Sequence, residues 1–436
     1  MLDITWNNKF PKKEAIPMFT QIGLKNFRTH KDSQVNLSDL TLIIGSNNSG
    51  KSNFLTGIHY ISKLLGAFNP NKREFTYELR TNNYYPNRHS LSQMGEPIEF
   101  NCKWENKSCK IGYSLSIFPN ASSSEQIHCT ESLEYNEGTL IKKFSYGVDE
   151  KSKILFLRKK IFDLNFSFQN NIDDFFYSLS SFYYYNFQPS LLKGEAFNYI
   201  YSEGRAYPQQ KKDYFKDLEE RSRFPNIPSE LGKEGGNLQD LLLFVKERDE
   251  ETYNRFSGYL KRFVKNFNGL VDKENGLKWQ FDMGTSNFPY YDPDKISDGL
   301  VKAAAVALLC SLRRPPALIM IEEVENGINQ RKLTEFLSWL THTSDNSSRT
   351  QFIITSHSPS VIREFSNRLD CVYNFHLREK DYVTRITNIN DAMKPLVNMG
   401  TVEEESTFKR EDGKEVITVK PYHLVELFYN GVLGEL

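Results

Sequence analysis

Cysteine is scarce in this chain, and what there is forms no pattern. The five cysteines, Cys102, Cys109, Cys129, Cys310 and Cys371, are odd in number and include no CxxC pair. Such spacing supports neither a zinc site nor a disulfide framework, and it fits a reducing, cytoplasmic setting. Cys310 lies in an apolar helical run and reads as a small buried hydrophobe. Long apolar runs are missing too. The longest, Ala303–Cys310, falls far short of the roughly 20 residues that a bilayer-spanning helix needs. No membrane partner is therefore expected. Met1–Met18 has Asp3, Lys9 and two prolines but no apolar h-region, so it is not expected to act as a signal peptide. An excess of charge of either sign is absent, since Lys+Arg and Asp+Glu both total 55. The molecule as a whole exerts no pull on a polyanion. That argues against a dedicated nucleic-acid-coating protein and leaves DNA, if bound, to a local basic groove. The short basic clusters at Arg158–Lys160 and at Gln210–Lys212, with Lys216 following, read as solvated faces. There is no internal repeat and no low-complexity tract.

What is present is ample apolar material: 39% of 436 residues, with 32 Phe and 23 Tyr. This length exceeds one ordinary domain, so a core domain plus a large insertion or second lobe is expected. Phe19–Phe27 reads as a strand, and Leu37–Ile44 ends in a compact apolar run suited to a buried strand. Lys51 to about Leu65 has helical spacing. Residues 80–185 are rich in Asn, Ser and Tyr and read as β-rich, with runs at Ile98–Trp104, Lys110–Ile117, Ile154–Arg158 and Phe182–Phe187. From Asp213 to about Phe267 the apolar spacing becomes three and four, so this stretch is expected to be mainly helical. After Ile296 come an alanine-rich helix, the strand Ala317–Ile321, the helix Gln330–Leu340, the strand Gln351–Thr355 and a short helix after Pro359. Alternation of this kind predicts a mostly parallel sheet. Near the end, Val416–Val419 reads as a strand and Tyr422–Leu427 as a helix.

Gly45-Ser46-Asn47-Asn48-Ser49-Gly50-Lys51-Ser52 satisfies G-x-x-x-x-G-K-[ST] at every fixed position, between an apolar strand and a helix. Glycine allows the tight turn that points successive N–H groups inward around phosphates, and the following helix adds its positive dipole end. Lys51 is expected to reach the β- and γ-phosphates of ATP, and Ser52 to ligate Mg²⁺. Asn53 is counted with the nucleotide-binding set.

Ala317–Ile321 ends in two carboxylates, Glu322 and Glu323. In a parallel sheet this end shares an edge with the phosphate loop. Glu322 is then placed to hold Mg²⁺ and Glu323 to orient the attacking water. His357, after the strand Gln351–Thr355, is a candidate donor to the γ-phosphate or the water. Ser297-Asp298-Gly299 opens the alanine-rich helix. Ser297 suits an N-cap and Gly299 a close backbone approach, with a second anion-binding helix start as the functional alternative.

In this order (phosphate loop, Ser-Asp-Gly, acidic strand, Glu325-Asn326-Gly327, Ser-His) the chain resembles the ABC-like ATPases of the RecF, SMC and OLD group. The resemblance covers roughly Phe19–Leu65 and Gly235–Ile362 and includes the opening Asn26-Phe27-Arg28. It implies an α/β, ABC-type P-loop NTPase fold with a mostly parallel core sheet, a β-rich part of the first lobe and an inserted helical region. The expected division is 1–205 and 291–390 for the two parts of the ATPase domain, 206–290 for the helical lobe and 391–436 for a C-terminal extension. The resemblance further implies that Ser297 and Gly299 complete the ATP site of a second copy, in a homodimer or higher homo-oligomer. Val324–Asn329 corresponds to the D-loop and His357 to the switch histidine. Gln188 is the candidate lever glutamine beside the metal, with Gln93 as its rival.

Three features depart from the family pattern. Glu322 stands where Asp is usual, Asp298 stands where transporters have glycine, and no sustained heptads mark an SMC-type arm. After Ile362 there are 74 residues without a D-x-D motif, so no nuclease of its own is expected. A stand-alone ATPase of this type is similar to the ATPase subunits of anti-phage systems such as Septu and PARIS, which implies a separate effector protein, commonly a nuclease. Two other readings stay open: a DNA-clamping repair ATPase in the manner of RecF, and ATP as a structural ligand with negligible turnover.

Overall fold

The computed structural model describes residues 18–66, 96–118, 128–147, 168–194, 231–273, 276–284, 288–345, 350–402, 404–409, 413 and 415–430. Strands apolar on both faces gather into one sheet. Leu40–Ile44, Leu318–Ile321 and Gln351–Thr355 are buried at every position, as strands covered on both sides must be. The sheet order is Val383–Asn388, Val372–Arg378, Leu40–Ile44, Gln351–Thr355, Leu318–Ile321, Phe182–Tyr185. All neighbours run parallel except the antiparallel pair Val372–Arg378 and Val383–Asn388.

The period of two sends alternate side chains of these strands to opposite faces. Leu42, Ile44, Ile319, Ile321, Phe352 and Ile354 join one apolar cluster, with residues of the helices Leu238–Arg248, Glu250–Phe263, Asp298–Ser311 and Gln330–Asp345. Ile43, Leu318, Met320 and Ile353 join the other, with the helix Lys51–Gly66 and a second sheet. That second sheet is antiparallel and six-stranded, in the order His30–Asn36, Met18–Phe27, Ile98–Glu105, Lys110–Phe118, His128–Glu137, Leu140–Gly147. Its strands bury alternate residues.

Several expected elements change. Gln169–Leu179 is a helix inside the stretch read as β-rich, because Ile172, Phe175, Phe176 and Leu179 recur at helical spacing and are buried. Leu260–Phe267 is not all helix. The helix ends at Phe263, and Phe267–Lys273 pairs with Gly276–Phe281 as an antiparallel hairpin. Leu260, Phe263, Phe267 and Leu270 imitate helical spacing, but the backbone is already extended at Val264, and Gly269, at φ +137°, lies within the strand that follows. Glu404–Lys409 pairs with Glu415–Val419, and Pro421–Tyr429 is a helix. Ile154–Arg158, Gln93 and the basic clusters at Arg158–Lys160, Gln210–Lys212 and Lys216 lie outside the described residues. Among the described residues, no helix is long and apolar enough to cross a membrane.

Candidate functional site

The buried strand Leu40–Ile44 delivers the chain to Gly45, at φ +139°. A Cβ on Gly45 would lie 2.1 Å from the Phe375 carbonyl oxygen. One on Gly50, at φ +100°, would lie 2.3 Å from Thr384 Oγ1 and 2.7 Å from Thr29 Oγ1. Both positions therefore admit only glycine, for conformation and for space. Ser46, Asn47, Asn48 and Ser52 are exposed around the start of the helix Lys51–Gly66, while Ser49 is buried. Lys51 is buried and its Nζ donates to the carbonyls of Gly45 and Ser46, each at 2.8 Å. Burial lowers the Lys51 pKa to about 8, against the nearby carboxylates of Glu322, Glu323 and Glu325.

The loop is braced from distant parts of the chain. His30 is buried, with Nε2 2.9 Å from the Gly50 carbonyl oxygen and Nδ1 2.8 Å from Ser33 Oγ. The Thr384 hydroxyl donates to the Ser49 carbonyl at 2.9 Å and lies 2.8 Å from the Thr29 hydroxyl. Asn53, expected in the nucleotide set, has its amide committed elsewhere. It accepts from Arg28 Nη1 at 3.0 Å and donates to Thr29 Oγ1 at 3.2 Å, so it holds the turn after the first strand against the loop.

The sheet register brings the acids to the same edge. Ser356 N donates to the Ile43 carbonyl at 3.1 Å, and Val324 N to the Thr355 carbonyl at 3.1 Å. Glu322 is 8% exposed and its Oε1 is buried without a hydrogen-bond partner. Burial, and then the neighbouring Glu322 carboxylate, push the pKa of the Tyr184 hydroxyl upward. Glu323 is exposed and sits at φ +44°, a left-handed conformation that costs a non-glycine residue about 1–3 kcal/mol. Three contacts hold it there. Its N–H donates to Thr355 Oγ1 at 3.0 Å, its carbonyl accepts from Lys302 Nζ at 2.6 Å, and its carboxylate accepts from Asn326 Nδ2. Glu325 Oε1 accepts from the His357 N–H at 2.9 Å, while Glu325 Oε2 is buried without a partner. Burial, and then the Lys51 cation, hold the His357 pKa below its ordinary value despite Glu323 and Glu325. The imidazole is therefore neutral at pH 7.

Sequence reasoning passed over Lys302. It is 2% exposed inside the alanine-rich helix, and burial lowers its pKa to about 8. The signal was available: a lone lysine in an apolar helix needs a partner. Tyr184, His30 and Thr384 gave no comparable signal.

Ser297 has the extended backbone of an N-cap, but its hydroxyl makes no capping bond. The Leu300 N–H that such a hydroxyl could take is bonded to the Ser297 carbonyl instead, at 3.0 Å. Gly299 packs on the turn after the acids, where an added Cβ would lie 2.1 Å from the Gly327 carbonyl oxygen. Asp298 pairs with Lys193 at 2.5 Å. Gln188 follows the strand Phe182–Tyr185, which neighbours the acid strand. Its side chain is exposed, with its amide 3.5 Å from Asn186 Oδ1.

Among the described residues, no group of three or more His, Cys, Asp or Glu forms a preassembled metal cage. The donor set nevertheless fits Mg²⁺, which binds proteins through one or two oxygens and completes its shell with phosphate and water. An orphaned, buried carboxylate oxygen costs at least about 1–3 kcal/mol, and Glu322 Oε1 is such an atom.

The profile of the family described as "AAA domain, putative AbiEii toxin, Type IV TA system" matches residues 40–363, well over half of the chain. No curated protein matches. Among solved structures, an SMC head bound to the C-winged helix domain of ScpA is 13% identical, with a TM-score of 0.45 over 86% of this chain and 99% of that one. The SMC head domain from Thermotoga maritima is 14% identical, with a TM-score of 0.36 over 85% and 99%. An SMC head from Pyrococcus furiosus, with an extended coiled coil and bound to the C-terminal domain of ScpA, is 13% identical, with a TM-score of 0.44 over 88% and 100%. The family match spans the phosphate loop, the acids and the histidine, and the chain belongs to this AAA-domain family of P-loop ATPases.

Proposed function

We propose that the protein binds Mg-ATP in the Gly45–Ser52 loop, hydrolyses it with Glu323, and uses the nucleotide to govern association between copies and control of a separate effector. The observation that carries this reading is the pairing of two acids beside the loop. Glu323 is held in a strained backbone conformation, and Glu322 presents a buried oxygen with no partner. Strain maintained by three separate contacts at a candidate catalytic carboxylate has a function to serve.

Ser52 and Glu322 would hold Mg²⁺, which supplies charge neutralisation at the β- and γ-phosphates when bound with ATP. Lys51 exchanges its two loop carbonyls for phosphate oxygens. Glu323 orients the attacking water and takes up its proton. His357, neutral at pH 7, donates to the γ-phosphate. Ser297, with its hydroxyl free of the helix cap, and Gly299 form an anion-binding helix start for the nucleotide of a second copy. Lys193 offsets the negative charge that Asp298 would otherwise bring there. The toxin in the family description favours a defence-type output, and the resemblance to anti-phage ATPase subunits favours a nuclease as the effector.

ATP turnover and assembly mass, measured together for wild type and Glu323→Gln, test the reading. Hydrolysis in wild type only, with the variant trapped as an ATP-stabilised assembly, is expected. Equal masses with and without ATP, and no turnover in either protein, would leave ATP as a structural ligand and overturn the catalytic role of Glu323.

A further inference from the structure

We infer that Glu325 is a positioning residue for His357: its carboxylate fixes the backbone that carries the histidine into the site. The inference rests on the ATPase reading and on the role that reading gives His357. The acid strand Leu318–Ile321 and the strand Gln351–Thr355 pair in parallel register, up to Ile321 opposite Ile354. Past that point the ladder gives way to single ties between the two turns that follow. Glu323 N donates to Thr355 Oγ1 at 3.0 Å, and Val324 N to the Thr355 carbonyl at 3.1 Å. The third tie is made by a side chain, since His357 N donates to Glu325 Oε1 at 2.9 Å. Glu323 and His357 are thereby held to one frame, and Glu325 supplies its outermost contact.

The acceptor stands on a fixed turn. The Glu325 carbonyl accepts from Ile328 N at 2.8 Å, and the Glu323 carbonyl from Asn326 N at 3.0 Å. Gly327, in the same turn, packs so closely on Gly299 that no side chain fits between them. A hydrogen bond to an ionised acceptor is roughly twice as strong as one between neutral groups. The bond from His357 therefore sets the separation between the turn that bears Glu323 and the loop that bears the histidine.

The second oxygen is an independent observation. Glu325 is half-buried as a residue, yet its Oε2 is buried and has no hydrogen-bond partner. Buried polar atoms are almost always paired. The side chain thus tolerates one unpaired oxygen while it keeps the other on the His357 N–H. Its charge also acts where the chemistry would occur, favouring the charged forms of Lys51, Lys302 and His357 against the burial that lowers all three.

Steady-state ATP turnover and binding of a fluorescent ATP analogue test this on the full chain. The proteins are wild type, Glu325→Ala, Glu325→Asp, Glu325→Gln, His357→Ala and the Glu325→Ala/His357→Ala double variant. Displacing a reacting group by about 1 Å costs up to about 10²-fold, so Glu325→Ala is expected to lower kcat by up to about that factor and leave KM and analogue binding unchanged. Glu325→Asp keeps the charge but draws the acceptor back by one methylene, and falls with the alanine variant. Glu325→Gln keeps an acceptor in reach and recovers most of the loss. These two keep the test alive if the alanine variant fails to fold. In the His357→Ala background, Glu325→Ala adds nothing. Wild-type kcat in the alanine and aspartate variants, a glutamine variant as slow as the aspartate one, or an undiminished loss without His357 overturns the positioning role. Wild type without turnover, or His357→Ala as fast as wild type, overturns the reading of the site itself, and the inference with it.

Discussion

In each large sheet a buried tyrosine stands beside a buried glutamate, and the two glutamates are finished differently. In the antiparallel sheet the Tyr113 hydroxyl donates to Glu131 Oε1 at 2.6 Å, with both residues 2% exposed and flanked by Cys102 and Cys129. No atom of that pair is among the buried polar atoms left without a partner. In the core sheet Tyr184 stands near Glu322, and burial and then that carboxylate push its hydroxyl pKa upward, but Glu322 Oε1 is buried without a partner, at the edge where the phosphate loop lies. A closed polar pair contributes to folding. An open one holds a cost that only a ligand removes.

The largest test of this contrast exchanges a carboxylate for its amide in each region. Glu323→Gln should lower ATP turnover by about 10²–10⁴-fold, the usual worth of a general base, with little change in unfolding free energy because the side chain is exposed. Glu131→Gln should show the reverse, with turnover intact and stability reduced by about 1–3 kcal/mol in a denaturant titration. Turnover lost at Glu131 without loss of stability would erase the distinction between the two regions.

Glycines sharpen it next. Gly299→Ala sets a Cβ 2.1 Å from the Gly327 carbonyl, whereas the nearest neighbour of a Cβ on Gly112 is 4.0 Å away, at Glu134 Cβ. Forced overpacking costs about 1–3 kcal/mol, so Gly299→Ala should destabilise by that amount and weaken ATP-dependent assembly. Gly112→Ala should be neutral or stabilise by a few tenths to about 1 kcal/mol, since strand conformation suits alanine. Paired chemical melts and assembly masses decide both.

The parts of the site local in sequence were legible there. Gly45–Ser52, the Glu322–Glu323 pair and His357 each follow an apolar strand. The sheet brings Lys51, Glu322, Glu323 and His357 within electrostatic reach of one another. What could not be read depends on contacts between distant residues. Thr384 and Ser49 are 335 positions apart, and no spacing rule connects them. The run Phe182–Tyr185 has three consecutive tyrosines, and only the register with Leu318–Ile321 decides which of them meets Glu322. Strands His128–Glu137 and Leu140–Gly147 were missed because Glu131 takes an inward position in the first and Lys142 and Lys143 interrupt the second, so the apolar alternation is faint. Asn53 makes contacts that its place in the sequence does not reveal. Adjacency to Ser52 suggested the nucleotide, but helical geometry turns consecutive residues to different faces, and Arg28 and Thr29 occupy its amide.

The smallest expected effect concerns pH, and it separates the regions by what each can titrate near neutrality. The antiparallel sheet buries Cys102, Cys129 and Tyr113, whose pKa values burial pushes upward, so none of them ionises between pH 7 and 8.5. The core site buries two lysines, Lys51 and Lys302, each lowered by burial to about 8. An unfolded lysine keeps its proton to about pH 10.4. The unfolded chain therefore binds more protons than the folded one above pH 8, and stability rises with pH there. The penalty for burying both charges is present in full below pH 8 and is relieved as pH climbs through it. ATP affinity runs the other way, because phosphate needs Lys51 charged, and affinity falls as pH passes 8. Lys302→Met removes one lysine from the stability term and leaves Lys51 in place. Melting curves and ATP titrations at pH 7.5, 8.0 and 8.5 should show a flatter stability profile in the variant, with the fall in affinity unchanged. A variant whose stability rises with pH as steeply as wild type would mean that Lys302 keeps its proton in the folded protein throughout this range. Its bond to the Glu323 carbonyl would then be the contact of an ammonium group at every pH tested, and only Lys51 would carry the pH dependence of the core site.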